Sequence, residues 1–368
     1  MKVAVIHDDL MRRGGAEQVV LSMLKAFPNA DLYTLCYRPN LTYEEFEKFK
    51  IYTSLFQYLV KTEKMMKRFF FPIGILCMKL LKIKGYDLVL ISSTFCAKYA
   101  SIDRHSKVFI YTHTPFRLAW DPESYKEFAE SYGIKRFIFN YIIRVLQYVD
   151  MSAAQKGNYH ISITTETADR VKTAYCISEV SVINPPVKSN NFFINKQSEK
   201  KYYLVVSRLE YYKKVDLAIE VFNELNIPLI IVGNGSKKDE LMNLANNNIQ
   251  FKSNVSGSEL SSIYADCKAL IFPQYEDFGI TPLEANCSGR PVIAYAKGGI
   301  LETMVPYNEK NKKFTSVFFY KQDKNSLINA IKLIENLEID TDFIKEHSMK
   351  FDEIVFIEKL TTFIKSRL

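Results

Sequence analysis

Two glutamates eight positions apart, Glu276 and Glu284, flank an apolar Phe-Gly-Ile in the segment YEDFGITPLEANCSG (275–289). Thr281, Pro282 and Glu284 have the spacing of a capping box, which predicts a helix whose N-cap is Thr281. A purely structural role in capping this helix would be enough to explain Glu284. It leaves Glu276 unexplained, so the pair is a candidate for acidic groups that contact a ligand.

A second group of candidate residues is basic. Arg208 ends a predicted strand, and Lys213 and Lys214 begin the next predicted helix, in the segment SRLEYYKKVDLAIEVF (207–222). An arginine and a lysine that converge at the carboxyl end of a strand can hold a diphosphate and stabilise its charge as it leaves. The alternative interpretation is a solvated basic loop.

Two further motifs follow predicted strands. Gly14 and Gly15 lie between the first strand and a helix, where glycine lets backbone amides approach a phosphate closely; the alternative is a tight turn. His113 ends the strand KVFIYTH (107–113), and Trp120, the single tryptophan, follows it. A lone histidine is more often structural, but the carboxyl end of such a strand is where an α/β fold exposes ligand-binding groups.

Short apolar strands alternate with longer helical patterns and must position these groups. The predicted strands are KVAVIH (2–7), DLYTLCY (31–37), DLVLISS (87–93) and KVFIYTH (107–113) in the first half, and YYLVVS (202–207), PLIIVG (228–233), IQFKS (249–253), ALIFP (269–273) and PVIAYA (291–296) in the second. Apolar strands that alternate with helices predict parallel sheets covered on both faces.

We therefore predict the α/β fold class, with two doubly wound Rossmann-like domains that face each other across a cleft. A chain of 368 residues is too long for one ordinary core. The Pro-Pro pair in INPPVKSNN (183–191) separates the halves, so we place the domains at 1–185 and 190–349. We interpret the last segment, about 350–368, as an amphipathic helix that crosses back to the first domain.

The composition limits the function classes. The chain is 48% hydrophobic with a net charge of +8, which suits an anionic partner such as a nucleotide, a phosphorylated substrate or a membrane surface. This charge is too small to indicate nucleic acid, and no nucleic-acid motif is present. The six scattered cysteines are typical of a reducing cytosol, and we assign no metal site. Because a strand pattern begins at once, we expect no signal peptide and a cytoplasmic protein.

Two segments are candidates for membrane contact. The segment 61–84 carries seven Lys or Arg against one Glu, interleaved with Phe, Met, Leu and Ile, and 134–149 is similar in character. A basic, aromatic surface helix can lie on an anionic membrane. The alternative is a helix that packs its apolar residues on the core and leaves its lysines in solvent.

Six segments, taken in order, resemble the retaining glycosyltransferases of the GT-B fold, family 4, also called glycosyl transferases group 1. They are GGAEQVV, YTHTPFRLAWD, INPPV, SRLEYYKKVDLAI, IIVGNG and YEDFGITPLEANCSGRPVIAYAKGGILETM, and they span almost the whole chain. The last contains the Glu-x7-Glu signature of the family. The histidine-containing segment and AKGGILET further resemble mannosyltransferase-like enzymes that build bacterial surface polysaccharides.

The resemblance implies a role for each candidate side chain. Glu284 would bind the ribose hydroxyls of a nucleotide sugar, and Glu276 would face the donor sugar and the reaction centre. Arg208 and Lys213 would neutralise the leaving diphosphate, with Lys213 favoured over its neighbour by its spacing to VDLAI. His113 would contact the sugar near its reacting carbon.

The resemblance also implies roles for backbone groups. The amides of Phe278, Gly279 and Ile280 would touch the sugar or the diphosphate. Gly14 and Gly15 would bring the first domain against that diphosphate. Since cations and helix N-termini can stabilise the leaving group, the resemblance implies neither a cofactor nor a metal. One departure from the commonest pattern is the lysine after Pro-Pro-Val, where an acid is frequent.

The implied function is transfer of a hexose from a nucleotide-diphosphate sugar to a lipid-linked glycan acceptor, in bacterial surface polysaccharide or O-antigen synthesis. The mannosyltransferase-like subgroup favours GDP-mannose as the donor, with a UDP-hexose as the runner-up. The first domain would be the acceptor side, and the protein would sit at the inner face of the cell membrane. Two alternatives are a sugar-nucleotide 2-epimerase of the same fold and a catalytically silent subunit that binds a glycan.

Overall fold

Two parallel sheets organise the chain in the computed structural model, which describes residues 1–62, 65–66, 69–124, 128, 130–197, 201–310 and 312–368. The strands of the first sheet are β1 (Val3–His7), β2 (Asp31–Thr34), β3 (Ile51–Thr53), β5 (Leu88–Ser93), β7 (Lys107–Thr112), β8 (Tyr159–Ser162) and β9 (Ser181–Val182); β4 (Lys82–Ile83) and β6 (Ser101–Ile102) form a separate pair. The strands of the second sheet are β10 (Tyr202–Val206), β11 (Leu229–Val232), β12 (Ile249–Lys252), β13 (Cys267–Phe272), β14 (Val292–Tyr295) and β15 (Ser316–Phe319).

The α-helices connect and cover these strands. In chain order they are α1 (Gly15–Ala26), α2 (Phe56–Leu59), α3 (Ile75–Leu80), α4 (Arg117–Trp120), α5 (Gly133–Ala154), α6 (Thr165–Tyr175), α7 (Val215–Leu225), α8 (Lys238–Leu244), α9 (Gly257–Asp266), α10 (Ile280–Cys287), α11 (Ile300–Thr303), α12 (Lys324–Glu335), α13 (Thr341–Ser348) and α14 (Glu353–Lys365). None of the helices in the described part of the chain is long and apolar enough to cross a membrane.

Both sheets are doubly wound. The strand order is β3-β2-β1-β5-β7-β8-β9 in the first and β12-β11-β10-β13-β14-β15 in the second, and the neighbouring strands run parallel. In each sheet the chain starts near the centre, moves to one edge, returns to the centre and moves to the other. The points of return lie between β1 and β5 and between β10 and β13, and ligands of such sheets bind at these switch points. The predicted α/β class is confirmed.

The chain divides into two compact units. The first unit comprises Met1–Pro186 with Phe356–Leu368, and the second comprises Val187–Val355. The C-terminal part of α14 packs in the first unit by burying one residue in every turn: Phe356, Leu360 and Ile364. The Phe356 ring lies edge-on to Tyr111 of β7, with 5.9 Å between the ring centres.

All nine predicted strands form, most of them because they are apolar runs that the fold buries. The strand β1, for example, is buried along its whole length. The exception is β12, an edge strand of the second sheet that buries only Ile249. The sequence missed β3, β8, β9 and β15 of the two large sheets and also the pair β4 and β6. These strands are short and carry polar or aromatic residues in place of a continuous aliphatic run, so periodicity alone does not reveal them.

The predicted capping box is wrong. The helix α10 begins at Ile280, and its N-cap is Gly279 in the left-handed conformation, with φ 89°. Thr281 therefore lies inside the first turn. The preceding Phe278 is buried and packs against Phe351, with 6.1 Å between the ring centres. The chain must turn sharply after this anchored ring, and glycine adopts that conformation without strain.

The basic segment 61–84 is only partly described, because residues 63, 64, 67 and 68 lie outside the described residues. The helix α3 inside it ends at Leu80, before β4. The described apolar residues of the segment include a buried set, Met66, Phe70, Ile75, Cys77, Met78 and Ile83, and an exposed set, Phe69, Phe71, Ile73, Leu76 and Leu80. The segment therefore both packs on the core and presents apolar side chains to solvent.

Candidate active site

The second unit gathers three of the predicted residues at its switch point. Arg208 and Lys213 follow β10, and Glu276 follows β13, the neighbour of β10 in the sheet. Parallel strands end at the same edge, so both loops lie there together. The Lys213 ammonium forms an ion pair with the Glu276 carboxylate, whereas Arg208 is exposed. Of the predicted residues, two cations and one acid thus lie at this edge.

The structure distinguishes the two adjacent lysines. Lys213 is buried, with 6% of its surface exposed, and points to Glu276. Lys214 is the left-handed N-cap of α7, and its ammonium lies 4.7 Å from the centre of the Tyr211 ring. The lysine favoured by sequence spacing is therefore the one that reaches the acid.

Glycines hold the loop of Arg208 in place. A Cβ on Gly233 would lie 1.9 Å from the Ser207 carbonyl oxygen, and one on Gly235 would lie 2.3 Å from that of Leu209. Only glycine permits this close backbone packing. The Gly-x-Gly of IIVGNG thus fixes the path of the chain on either side of Arg208.

A second glycine pair supports the loop of Glu276. A Cβ on Gly298, whose φ is +85°, would lie 2.2 Å from the Glu276 carbonyl oxygen, and one on Gly299 would lie 2.4 Å from that of Asp277. The Gly299 amide also donates a hydrogen bond to the Glu276 carbonyl, at 2.9 Å. The glycines of AKGGILET therefore explain how the loop that carries Glu276 is positioned.

The remaining predicted residues of this unit lie at and within α10. Gly279 and Ile280 begin the helix, where backbone N–H groups and the helix dipole favour an anion. Phe278 offers only its backbone, because its ring is buried. Glu284, inside the helix, accepts a hydrogen bond from the Tyr264 hydroxyl at 2.8 Å. Burial raises the pKa of Glu284 above its ordinary value, although the Tyr264 hydrogen bond opposes this rise.

In the first unit, a serine on β5 connects two histidines at the ends of the flanking strands β1 and β7. The Ser92 hydroxyl lies 2.9 Å from His113 Nε2 and 3.1 Å from His7 Nδ1. His113 follows β7 as predicted, but it is largely buried. The other ring nitrogen of His7 lies 3.9 Å from the Glu17 carboxylate. Burial lowers the pKa of His7, but the Glu17 hydrogen bond and nearby acids outweigh it, so the pKa is raised.

This chain of contacts leads to the predicted glycine site. Gly14 is the N-cap of α1 and Gly15 is its first residue, directly after the loop from β1. A Cβ on Gly14 would lie 2.7 Å from the Glu17 carboxylate. Glu17, His7, Ser92 and His113 thus form a continuous polar path from the start of α1 to the end of β7.

Sequence reasoning missed the residues that shape this edge of the first sheet. Asp8, next to His7, accepts backbone hydrogen bonds from Cys96 and Ala97 at 2.7 and 2.6 Å, and it also accepts a hydrogen bond from the Thr94 hydroxyl at 2.6 Å. Burial would raise the pKa of Asp8, but the charge of His7 and these hydrogen bonds lower it. Their positions in the sequence could have identified them, because Asp8 and Thr94 directly follow predicted strands, at the same edge of the sheet as His113.

The first unit also contains a cavity of about 410 Å³ beyond the ends of β7 and β8. Its polar lining includes an indole, two guanidinium groups, three carboxylates and threonine hydroxyls, among them that of Thr114. The residues concerned include Trp120, Thr114, Arg117, Arg170, Asp121, Glu166 and Asp169. Among the described residues, the buried Thr114 hydroxyl has no hydrogen-bond partner, which suits a polar ligand. Within the same residues, no cluster of histidine, cysteine and acidic side chains could hold a metal ion.

Comparison with known proteins identifies the second unit. Residues 187–351 match the family model described as glycosyl transferases group 1. Over 374 aligned residues the chain is 27% identical to the α-1,3/1,6-mannosyltransferase ALG2 of Kluyveromyces lactis, covering 84% of this chain and 72% of that protein. These matches indicate a glycosyltransferase whose second unit is similar to glycosyl transferases group 1.

A bacterial relative and a solved structure extend the comparison. This glycosyltransferase is 22% identical to the O-antigen chain mannosyltransferase RfbU of Salmonella typhimurium, over 55% of this chain and 56% of that one. The structure of Anabaena HepE in complex with UDP-glucose matches all of both chains, with a TM-score of 0.72 and 14% identity. The predicted GT-B fold is thereby confirmed.

Proposed function

We propose that this glycosyltransferase moves a hexose, with retention of configuration, from a nucleotide-diphosphate sugar to a glycan acceptor. Mannose is the favoured hexose, because the relatives ALG2 and RfbU are named as mannosyltransferases. The acceptor we propose is lipid-linked, in the synthesis of a bacterial surface polysaccharide, and the place of work is the cytoplasmic face of the membrane. The name of RfbU supports this choice.

The Lys213–Glu276 ion pair at the switch point of the second sheet is the observation that carries the proposal. Breaking the bond between a sugar and a diphosphate develops positive charge on the sugar and negative charge on the leaving group. A bound diphosphate would compete with Glu276 for the Lys213 ammonium. Glu276 would then face the sugar, while Lys213 and Arg208 would stabilise the departing phosphate.

The donor's other parts have candidate partners in the same unit. The N-terminus of α10 at Gly279 and Ile280 supplies positive potential for the diphosphate. Glu284 supplies a carboxylate for the ribose hydroxyls. Because the N-terminus of α10, Lys213 and Arg208 already offer positive charge to the leaving group, we expect turnover in the presence of a chelator.

The cavity in the first unit supports an acceptor site there. An indole face such as that of Trp120 packs well against a sugar ring, and carboxylates and guanidinium groups hydrogen-bond sugar hydroxyls. The lining residues carry three acids and two arginines, so the cavity suits an uncharged sugar better than a phosphate. His113 lies directly before Thr114 of this lining, and its contact with the donor sugar remains a prediction.

A thermal-shift screen with GDP, UDP, ADP and their sugar conjugates tests the donor site. A ligand that binds only the folded state raises the melting temperature by mass action. We expect a shift with GDP and GDP-mannose, with a UDP-hexose as the runner-up. A transfer assay with the stabilising donor and a lipid-linked acceptor then tests the reaction and its stereochemistry.

Two results would contradict the transferase activity. Absence of any shift with every nucleotide would favour a glycan-binding subunit without catalytic activity. Isomerisation of the sugar nucleotide in the absence of an acceptor would favour the 2-epimerase. Transfer with inversion would overturn the retaining mechanism alone.

A further inference from the structure

The helix α5 carries apolar side chains on two opposite sides. Its inward side buries Ile143, Leu146, Ala153 and Ala154. Surface helices of globular proteins normally show one apolar stripe and a polar opposite face, and a helix that is apolar all round is normally covered all round. The outward side of α5 therefore requires an explanation.

The inward side is fully engaged in the first unit. Asp150, buried on that side, forms an ion pair with Lys98 at 2.8 Å. Asp150 also accepts hydrogen bonds from the Tyr99 hydroxyl at 2.7 Å and the Trp120 indole N–H at 2.9 Å. This polar network fixes which side of the helix faces the core, so the outward residues cannot turn inward.

The outward side presents large apolar residues at helical spacing. They are Ile134 (80% exposed), Phe137 (75%), Ile138 (50%), Tyr141 (67%), Val145 (36%) and Tyr148 (68%). These residues, which we call the outer stripe, extend over about 21 Å at the α-helical rise of 1.5 Å per residue. Contiguous exposed apolar surface of this kind marks an interaction site.

The exposed charges on α5 itself, beside the outer stripe, are positive. Lys135 and Arg144 are exposed on α5, and Arg136 pairs with Glu123. The single acid within the helix is Asp150, which is buried. The whole chain carries a net charge of +8. We propose that α5 is an in-plane membrane helix, whose outer stripe inserts into the interface of an anionic lipid bilayer.

The composition of the stripe favours a bilayer over a second copy of the chain. Tyrosine places its ring at the apolar boundary and its hydroxyl among headgroups, and basic residues beside it attract anionic lipid. A two-fold contact between copies would instead bring Lys135 and Arg144 close to like charges. A second set of exposed apolar residues lies in α3 and the turn before it: Phe69, Phe71, Ile73, Leu76 and Leu80. The helices α3 and α5 both contact the short turn Ala97–Tyr99.

Vesicle sedimentation of the full chain tests the proposal without any nucleotide sugar, so its outcome is independent of the proposed reaction. The vesicles contain phosphatidylcholine with or without phosphatidylglycerol. We expect binding to the anionic vesicles that weakens with added salt. The double variant Phe137→Ser/Tyr141→Ser should reduce the bound fraction about tenfold or more, because binding scales with the apolar area that is buried.

A control variant removes two exposed apolar residues from the second unit. Leu244 is 50% and Tyr320 is 76% exposed, and Leu244→Ser/Tyr320→Ser should bind anionic vesicles as the wild type does. The variant Arg144→Glu, which keeps the outer stripe, should weaken binding to anionic vesicles only. Melting temperatures establish that each variant is folded.

Three outcomes would overturn the proposal. The first is wild-type vesicle binding by the folded Phe137→Ser/Tyr141→Ser variant. The second is a loss of vesicle binding in the control variant Leu244→Ser/Tyr320→Ser that equals the loss in Phe137→Ser/Tyr141→Ser. The third is a lipid-free dimer, seen by light scattering, that these α5 substitutions dissociate while the wild type does not bind vesicles; this result would assign the outer stripe to a second copy.

Discussion

The buried carboxylate of Glu284 destabilises the folded protein when it is charged, unless a bound ligand donates hydrogen bonds to it. Burial raises its pKa, so the folded state resists the charged form, and this penalty is present at neutral pH and disappears as the pH falls below the raised value. Glu284→Gln keeps an acceptor for Tyr264. We expect nucleotide binding about tenfold to a hundredfold weaker, since a hydrogen bond to a charged group contributes about 1.5–3 kcal/mol. The melting temperature without nucleotide should not fall. Calorimetric titration and thermal melts at neutral pH measure both quantities.

The exposed Glu240, which pairs with Lys237, provides the control for this change. Glu240→Gln should leave nucleotide binding unchanged. A lower melting temperature for Glu284→Gln with intact nucleotide binding would mean that this glutamate has only a structural role.

Lys213 should act mainly on the leaving group and less on binding. Its ammonium already sits beside Glu276, so we expect Lys213→Ala to lower kcat by about a hundredfold to a thousandfold, the range for one removed electrostatic stabiliser. The KM for the donor should change less. Lys214→Ala is the matched control, because Lys214 lies over Tyr211 and not at the acid. Similar kinetics for the two variants would contradict the assignment.

The sequence could identify these side chains but not their contacts. The sequence places Lys213 at the start of a predicted helix and Glu276 on a loop, whereas the structure places Lys213 in the short turn before α7, which begins at Val215. Their ion pair depends on how both segments fold. His7 and Ser92 belong to no motif, because each sits at the end of an ordinary apolar strand. Their link to His113 follows only from the strand order β1-β5-β7.

At the scale of elements, the glycine pair after β14 should control the loop after β13. Gly298→Ala forces a Cβ against the Glu276 carbonyl oxygen in a left-handed backbone conformation. We expect donor binding to weaken because the loop must shift. Stability should fall by more than about 1 kcal/mol, since alanine is strained at that φ. Donor titration and urea unfolding test the two effects.

Gly257→Ala is the control for this substitution. Gly257 begins α9 after the N-cap Ser256, and a Cβ there meets nothing within 4 Å. Alanine at this site should leave donor binding unchanged and the stability equal or higher. Wild-type donor binding by Gly298→Ala would mean that the glycine pair does not position the loop.

The boundary of α10 shows where local sequence rules fail. Thr281, Pro282 and Glu284 fit a capping box in isolation, and that local fit predicted the wrong N-cap. Tertiary packing decides the start of the helix, because the buried ring of Phe278 fixes the chain immediately before the turn at Gly279. Patterns of apolar residues predicted the long strands well, because a strand that is buried on both faces has a nearly continuous apolar sequence.

At the scale of the whole molecule, the fold class was predictable and the path of the last helix was less so. Two rounds of strand–helix alternation suffice to indicate two doubly wound sheets. The face that α14 covers depends on contacts far apart in sequence, such as Phe363 with Phe109 of β7, at 6.0 Å between ring centres. The C-terminal residues therefore contribute to the core of the first unit.

This packing predicts that a substitution near the C-terminus destabilises the first unit. Leu360 is fully buried, so Leu360→Ala should cost about 2–5 kcal/mol, the usual range for such a truncation in a core. Hydrogen exchange should accelerate in β7 and β8, while β10 and β13 of the second unit keep their protection. Leu368→Ala, at a position 54% exposed, should change neither stability nor exchange. Unchanged exchange in β7 after Leu360→Ala would mean that the helix adds little to the first unit, since a core contact cannot be lost without loosening the strand it covers.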